Sequence, residues 1–371
     1  MFVELHLIQS FGPHCLNRDD TNQPKDCTFG GFRRARISSQ CIKRSIRWHE
    51  AFRDATAPHA ALRTRWIHAK LADLLRQRGR DATVDSPVIK AYVAALGLKF
   101  DKNDRTQYGL YVGLDEVDRM AADLDAKWDT LAGASDAQMK KEVEPIAKAL
   151  KLRTQAADIA LFGRMIADRP GDNVDAACQV AHAISTHKVD MEMDFFTAVD
   201  DLKQADDEPG AGMMGTVDFN SSCFYRYALL DFSKLVANLG GDVALARASA
   251  EGFLRAAVAA IPTGKQSSFA AHNPPEFILA VVREKGAWSL ANAFEKPVRA
   301  TAETGLTEAS VEALDGYFSR LASLYGTDGI VTRPACWLSD AKAEHAPDPK
   351  VGSLEELIGT VMDALPKAEE G

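Results

Sequence analysis

The chain has 371 residues, 46% of them hydrophobic and 26% charged, with a formal net charge of −8. That length holds one large domain with insertions or two to three domains, and the composition builds a core without disulfides. The acidic balance excludes a protein that coats nucleic acid with its whole surface, though not a local basic groove, and no apolar run approaches a membrane span.

The opening FVELHLIQ alternates. Val3, Leu5 and Leu7 share one face, and Phe2, Glu4, His6 and Ile8 the other, which predicts a strand with one fully apolar face. Glu4 and His6 also interrupt any leader-like run, so no signal peptide and a cytoplasmic location are expected. Residues 10–34, SFGPHCLNRDDTNQPKDCTFGGFRR, are rich in Gly, Pro, Asn and Asp and predict one long loop. A loop of that length in a compact domain points to function or disorder. ISSQCIKRSIRWHEAFR then predicts a helix. Ser38 or Ser39 is its N-cap, Ile42 and Ile46 face the core, and Gln40, Lys43, Arg44 and Arg47 are spaced to share a neighbouring face.

From about residue 58 to 172 the pattern is helical. LRTRWIHAKLADLLRQRG sets Leu62, Trp66, Ile67, Leu71, Leu74 and Leu75 at helical spacing before a C-cap at Gly79. Further helices are expected over 86–96, 114–128, 136–150 and 155–165, so the block reads as a helical insertion. Residues 174–189 are short, apolar and small, a return to the core. After them, strand-like segments flank an acidic, glycine-rich middle at about 206–215, which predicts a long protruding β-hairpin with a flexible tip. A helix (LARASAEGFLRAAVAAI), a turn (PTGKQSS), a strand (FILAVVRE) and a helical C-terminal part follow, with no internal repeat.

Between Cys27 and His49 lie Arg33, Arg34, Arg36, Lys43, Arg44 and Arg47, and no acidic residue. Arginine offers a planar fork that matches phosphate, and lysine a mobile point charge. A helix N-terminus beside a Gly-Gly turn adds N–H groups. Together they would follow a nucleic-acid backbone without reading its sequence; the plainer use is a solvated helix face paired with acids elsewhere. Phe195 and Phe196, at the base of the hairpin, would stack on bases or wedge between them, or else one ring fills the core and the other covers a seam. Asp19 and Asp20 are the adjacent carboxylates that a hard cation for phosphoryl chemistry needs. Loop capping competes for them, and no third carboxylate or partnered histidine is evident.

His182 and His187 are five apart, do not share a helix face, and read as structural histidines. TGKQSS at 263–268 lacks the upstream glycine of a phosphate loop, although Lys265 can reach a phosphate. The six cysteines form no C-x-x-C pair and read as reduced, buried or half-buried thiols; neither a metal nor a cofactor is expected.

CLNRDDTNQPKDCTFGGFRRARISSQCIKRSIR resembles the N-terminal signature of the backbone subunit, the CasC family, of the type I-E CRISPR Cascade surveillance complex. DIALFGRM, AHAISTHKVDMEMDFFTAVDD, SSCFYRYALLD, GKQSSFAAHNPPE and SLANAFEKPV resemble that family's segments in the same order. The likeness spans nearly the whole chain except the helical block. It implies an α+β fold: a modified RNA-recognition-motif (ferredoxin-like) palm with a helical fingers insertion and a protruding β-hairpin thumb. The corresponding divisions are palm 1–57, fingers 58–173, palm 174–187, thumb 188–222 and palm 223–371.

The resemblance further implies a non-catalytic subunit that binds crRNA. Copies of it, typically six, polymerise as a helical filament along the crRNA spacer and present it for pairing with target DNA in antiviral defence. Large, small, end-capping and crRNA-processing Cascade subunits would be its other partners, with no membrane involved. Each thumb would interrupt guide–target pairing and tip a base out.

By motif position, Arg18, Lys25, Ser38, Gln40, Lys43, Arg44 and Arg47 would contact the guide backbone, with Lys265 a further candidate and Arg34 and Arg36 joining from the basic stretch. Arg164 and Met165 of FGRM and Phe196 would pack at the displaced base, and Phe195 leaves open which thumb residue forms the wedge. Phe32, Cys41 and Phe195 depart from the family's commonest residues. Related backbone subunits of other CRISPR effector classes cut target RNA with an acidic residue in a comparable loop, so the alternative is a metal-dependent ribonuclease using Asp19 or Asp20.

Overall fold

The computed structural model describes residues 1–84, 86–198, 213–338 and 340–367. In chain order the strands are β1 (Phe2–His14), β2 (Asp26–Phe29), β3 (Phe32–Ile37), β4 (Ala61–Thr64), β5 (Leu110–Gly113), β6 (Cys178–Val180), β7 (Ala183–Ser185), β8 (Glu192–Ala198), β9 (Met213–Asp231), β10 (Phe277–Arg283), β11 (Ile330–Thr332) and β12 (Ala335–Trp337). The architecture is mixed α/β around an antiparallel sheet, and the chain divides into two compact units.

The first unit comprises Met1–Phe52, Gln179–Asp231 and Ala250–Pro366. Its sheet has the order β11-β10-β1-β9-β7-β3-β2. β1 is central, antiparallel to β10 from Phe2↔Arg283 to Ile8↔Phe277 and to β9 from Phe2↔Asp231 onward. The expected apolar face of β1 is present, but the opposite face is buried as well. Ile8, Tyr225, Phe277 and Leu279 pack there with Val311, Leu314 and Phe318 of the helix Leu306–Tyr325.

The two polar residues of β1 are therefore carried into the core, where each needs a partner. Glu4 accepts from Arg283 Nε at 2.5 Å, from the Tyr227 hydroxyl at 3.2 Å and from the Trp288 amide. The Tyr225 hydroxyl accepts from Leu290 N and is hydrogen-bonded to His6 Nδ1, both at 2.9 Å. Burial, reinforced by the charge of Arg283, lowers the His6 pKa to about 3.

The long loop expected over 10–34 is shorter than the composition suggests. β1 continues to His14 through a register shift between Phe11 and His14, where Gly12 and Pro13 sit in a bulge. β2 and β3 then form a hairpin closed by Gly30 and Gly31, both at positive φ (60° and 81°). Only glycine takes two such residues without strain, and the twist of that turn matches the strands it joins. The loop proper is 15–25.

Arm-like pairing of β8 with the first part of β9 gives the expected hairpin, from Glu192↔Phe219 to Ala198↔Met213. Most of the predicted tip, 206–212, lies outside the described residues.

The second unit is mainly Arg53–Cys178 with Phe232–Ser249. Helices Ile67–Gln77, Pro87–Ala95, Leu114–Ala132 and Asp136–Ala149 enclose a core that includes Leu71, Tyr92, Leu124, Trp128 and Leu131. Two expectations change. Leu62 is not helical but lies in β4, paired with β5 as Leu62↔Val112. The last predicted helix stops at Phe162, because the backbone leaves the helical region at Gly163 (φ 79°); a Cβ there would also crowd Ala176 N and Val174 O at 2.9 Å. Among the described residues no helix is long and apolar enough to cross a membrane.

Candidate nucleic-acid interface

The basic helix α1 spans Ser39–Trp48 and is capped by Ser38, whose Oγ accepts from Cys41 N at 3.4 Å. Ile42 and Ile46 are buried, contributing about 1.5–3 kcal/mol each. At spacings of three and four, Gln40, Lys43, Arg44 and Arg47 form the adjoining face, with Gln40 and Arg44 exposed and Lys43 and Arg47 half-buried. The Arg44 guanidinium stands over the Trp48 ring, 5.7 Å from its centroid, and Trp48 is 60% exposed. That exposed aromatic is absent from the sequence-based candidates. Its signal was a tryptophan one residue past the last arginine of a cationic face.

Loop 15–25 is stapled to the start of α1. Asn17 Oδ1 accepts from Ser38 N at 2.8 Å, and Asn17 O accepts from Lys25 N at 2.9 Å. Arg36 N donates to Lys25 O at 2.9 Å, so Lys25 is fixed between loop and β3. Arg18 is exposed and donates to Asn22 Oδ1 at 2.5 Å. A turn from the C-terminal half closes against this loop: a Cβ on Gly264 would overlap Leu16 O. Gly264 therefore seats Lys265 (φ 52°) beside the loop, and Gln266 Nε2 braces the turn by donating to Pro262 O and Ala271 O at 3.1 Å. An open cleft of about 430 Å³ lies between, lined by Asn17, Arg18, Asp19, Asp20 and Gly264 among others.

The loop aspartates have an internal use. Asp19 Oδ1 accepts from Thr21 N, Thr21 Oγ1 and Gln23 N, each at 2.9 Å. These bonds, led by that from Gln23, hold its carboxyl below the usual carboxylate range. Among the described residues no group of three His, Cys, Asp or Glu side chains is placed to hold a metal ion.

Two candidates are withdrawn on geometry. Arg34 has no exposed surface. It donates to the carbonyls of Ser185 (3.1 Å), Thr186 (2.9 Å), Phe294 (2.7 Å) and Glu295 (3.1 Å), so its guanidinium cannot meet a phosphate. Arg164 is likewise enclosed in the helical unit, donating to Glu116 Oε2 and Leu152 O at 2.7 Å and to Asp172 O at 3.0 Å. It cannot pack on a displaced base, whereas its neighbour Met165 is 84% exposed.

Arg36 is half-buried and donates to Asp26 O at 3.1 Å, and Arg33 pairs with Asp26, an acid just outside the acid-free stretch. Ser38 is buried, its hydroxyl occupied as the cap.

On the hairpin neither phenylalanine joins the core: Phe195 is 61% exposed and Phe196 37%. The Phe196 ring lies across Gly215, where a Cβ would come within 2.5 Å of its Cζ. Phe195 pairs with Thr216, and Thr197 with Met214. Met193, Phe195 and Met214 thus share one exposed apolar face.

The sequence matches the model of the CT1975-like protein family over residues 3–361. The chain belongs to the CT1975-like protein family. It is similar to a chain of a "CRISPR RNA-guided surveillance complex, pre-nicking", with a TM-score of 0.82 and 32% identity over 98% of this chain and 100% of that one. A chain of a second "CRISPR RNA-guided surveillance complex" matches with a TM-score of 0.73 and 26% identity, over the same shares. No curated protein matches the sequence. In this CT1975-like protein, the residues quoted for the family resemblance at its N-terminus are those that build the β2–β3 hairpin, loop 15–25 and α1.

Proposed function

We propose that the chain is a crRNA-binding backbone subunit of a type I-E CRISPR Cascade complex, acting in the cytoplasm in antiviral defence. The observation that carries this reading is the likeness, over essentially the full length of both chains, to a chain of an RNA-guided surveillance complex. The geometry supports where the guide would lie. Arg18, Lys25 and Lys265 flank the cleft and loop, and Gln40, Lys43, Arg44 and Arg47 continue as one helix face. This set contacts phosphates and ribose, and base pairing between guide and target DNA reads the sequence.

In this reading the first unit contains an RNA-recognition-motif-like palm, the helical unit is the fingers, and the β8–β9 hairpin is the thumb. Copies stack as a helical filament on one crRNA, typically six, beside the large, small, end-capping and crRNA-processing subunits. The exposed face of Met193, Phe195 and Met214 suits contact with bases along the heteroduplex. The reading includes a non-catalytic role, which the use of Asp19 Oδ1 in folding its own loop supports.

The test is guide binding by Lys43→Ala and Arg47→Ala across a salt series. Each lost phosphate contact is expected to reduce the slope of log K against log salt by about 0.7, equally for guides of unrelated sequence. Strong dependence on guide sequence after mutation would overturn it. Incubating the complex with complementary RNA and magnesium tests the non-catalytic assignment: regularly spaced cuts lost in Asp19→Ala would replace it with a ribonuclease.

A further inference from the structure

We infer that His182 is an additional guide-binding residue, a neutral hydrogen-bond donor to an oxygen of the RNA backbone, held in one tautomer by the main chain of Ser39. The inference rests on the reading above and adds a residue that its spacing in the sequence marked as merely structural.

His182 Nδ1 lies 3.0 Å from Ser39 N. An amide N–H only donates, so Nδ1 is the acceptor and the ring proton sits on Nε2. Arg36 Nη1 approaches the same Nδ1 at 3.5 Å. Nδ1 as acceptor makes the ring the neutral form, and burial, then Arg36 and Lys25, lowers its pKa in the same sense.

The residue is exposed, and the hydrogen bonds from Ser39 and Arg36 both meet its Nδ1, on the side of the ring away from Nε2. It projects from the turn between β6 and β7, which Ala181 N pins to Tyr227 O at 2.9 Å. The bond from Ser39 N sets the ring beside the first turn of α1, with the Arg36 guanidinium next to it. A neutral N–H donor beside Arg36, within the field of Lys25, suits a phosphate or 2′-hydroxyl oxygen. It adds position and affinity, but releases no counterion.

The experiment measures binding of a fluorescein-labelled single-stranded RNA of mixed sequence to the full chain, from about 50 to 200 mM salt. His182→Asn keeps an oxygen near the Nδ1 position for Ser39 N and removes the Nε2 donor; His182→Gln returns a donor near Nε2. Asn is expected to weaken binding about three- to tenfold with unchanged salt slope and thermal unfolding, and Gln to recover part of the loss. Wild-type affinity in His182→Asn would reduce His182 to a cap and overturn the inference alone. A slope reduced by about 0.7 would also overturn it, since the ring would then act as a cation. If the wild type fails to bind, or Lys43→Ala and Arg47→Ala leave the slope unchanged, the proposed function fails and this inference with it.

Discussion

Arg34 Nη2 donates to the main-chain carbonyl of Phe294 at 2.7 Å, joining positions 260 residues apart. With Ser185, Thr186 and Glu295 also accepting, one guanidinium ties the β2–β3 hairpin to two distant segments. Gly30 closes the same joint, because a Cβ there would overlap Glu295 O. The arginines of the basic stretch thus divide by role: Arg34 builds the platform, and the α1 face presents charge.

Arg34→Met is expected to destabilise the protein by about 3–5 kcal/mol in urea unfolding, because buried carbonyls lose their donors together. Folded variant protein should keep the wild-type salt slope for RNA binding. A slope lowered as in Lys43→Ala would mean that Arg34 reaches a phosphate after all.

The second enclosed arginine gives a cleaner energetic contrast. Arg164 and Glu116 have no exposed side-chain surface and pair at 2.7 Å. Arg164→Met leaves a buried carboxylate without its cation and should cost about 3–5 kcal/mol, and adding Glu116→Gln should recover much of that. Met165→Ala, at an exposed neighbour, should change stability by no more than about 0.5 kcal/mol. Equal costs for the single and double variants would show that the loss lies in packing rather than in the orphaned charge.

How legible these roles are depends on what each residue type discloses locally. The alternation of FVELHLIQ announces β1, and Ser38 with Ile42 and Ile46 announces α1, because strand and helix periods are local properties. The burial of Glu4, His6 and Arg34 is not local: it depends on Trp288, Tyr225 and Phe294, more than 200 residues away. Charge alone therefore assigns Arg34 to the surface. CTFGGFRRARI did carry a readable hairpin signal in its paired glycines, but Pro, Asn and Asp upstream submerged it in an apparent loop. In the site, Lys43 and Arg47 follow from helical spacing. Lys265 is a candidate already in TGKQSS, but its place beside the loop comes only through tertiary closure, by Gly264 against Leu16; His182 joins only through Ser39 on Nδ1.

Two buried histidines make the fold sensitive to acid. His6 has a pKa of about 3 and His14 of about 4, both lowered chiefly by burial, against about 6.5 in the unfolded chain. Between these values the unfolded state binds more protons at these two sites, so their contribution to stability is full above pH 6.5 and falls as pH drops. His14 packs between Phe11 and Phe224, centroids 5.5 Å from each, and its nitrogens have no partners among the described residues. His14→Phe should therefore fold and should lessen the fall between pH 6.5 and 4 by up to about 1.4 kcal/mol per pH unit. Urea unfolding at several pH values reads this directly; an unchanged slope would exclude His14 as a source of acid sensitivity.

The hairpin gives a test that separates contact from stability. Phe195 is exposed beside Met193 and Met214, so Phe195→Ala should leave unfolding within about 0.5 kcal/mol of wild type. If this face meets bases, target binding by the assembled complex should weaken by about 1–3 kcal/mol per base contact removed, with guide binding intact. Loss of both stability and guide binding would instead make Phe195 a packing residue.

Gly264 offers the sharpest separation of charge from placement. Gly264→Ala removes no charge, yet its methyl would overlap Leu16 O and push the turn bearing Lys265 off the loop. Guide affinity should fall by about as much as in Lys265→Ala, and the salt slope should fall with it, because a displaced lysine no longer neutralises its phosphate. Combining the two substitutions should add little, since both remove one contact. If Gly264→Ala weakens binding while Lys265→Ala does not, the turn acts by shaping loop 15–25 around Arg18 rather than by presenting the lysine.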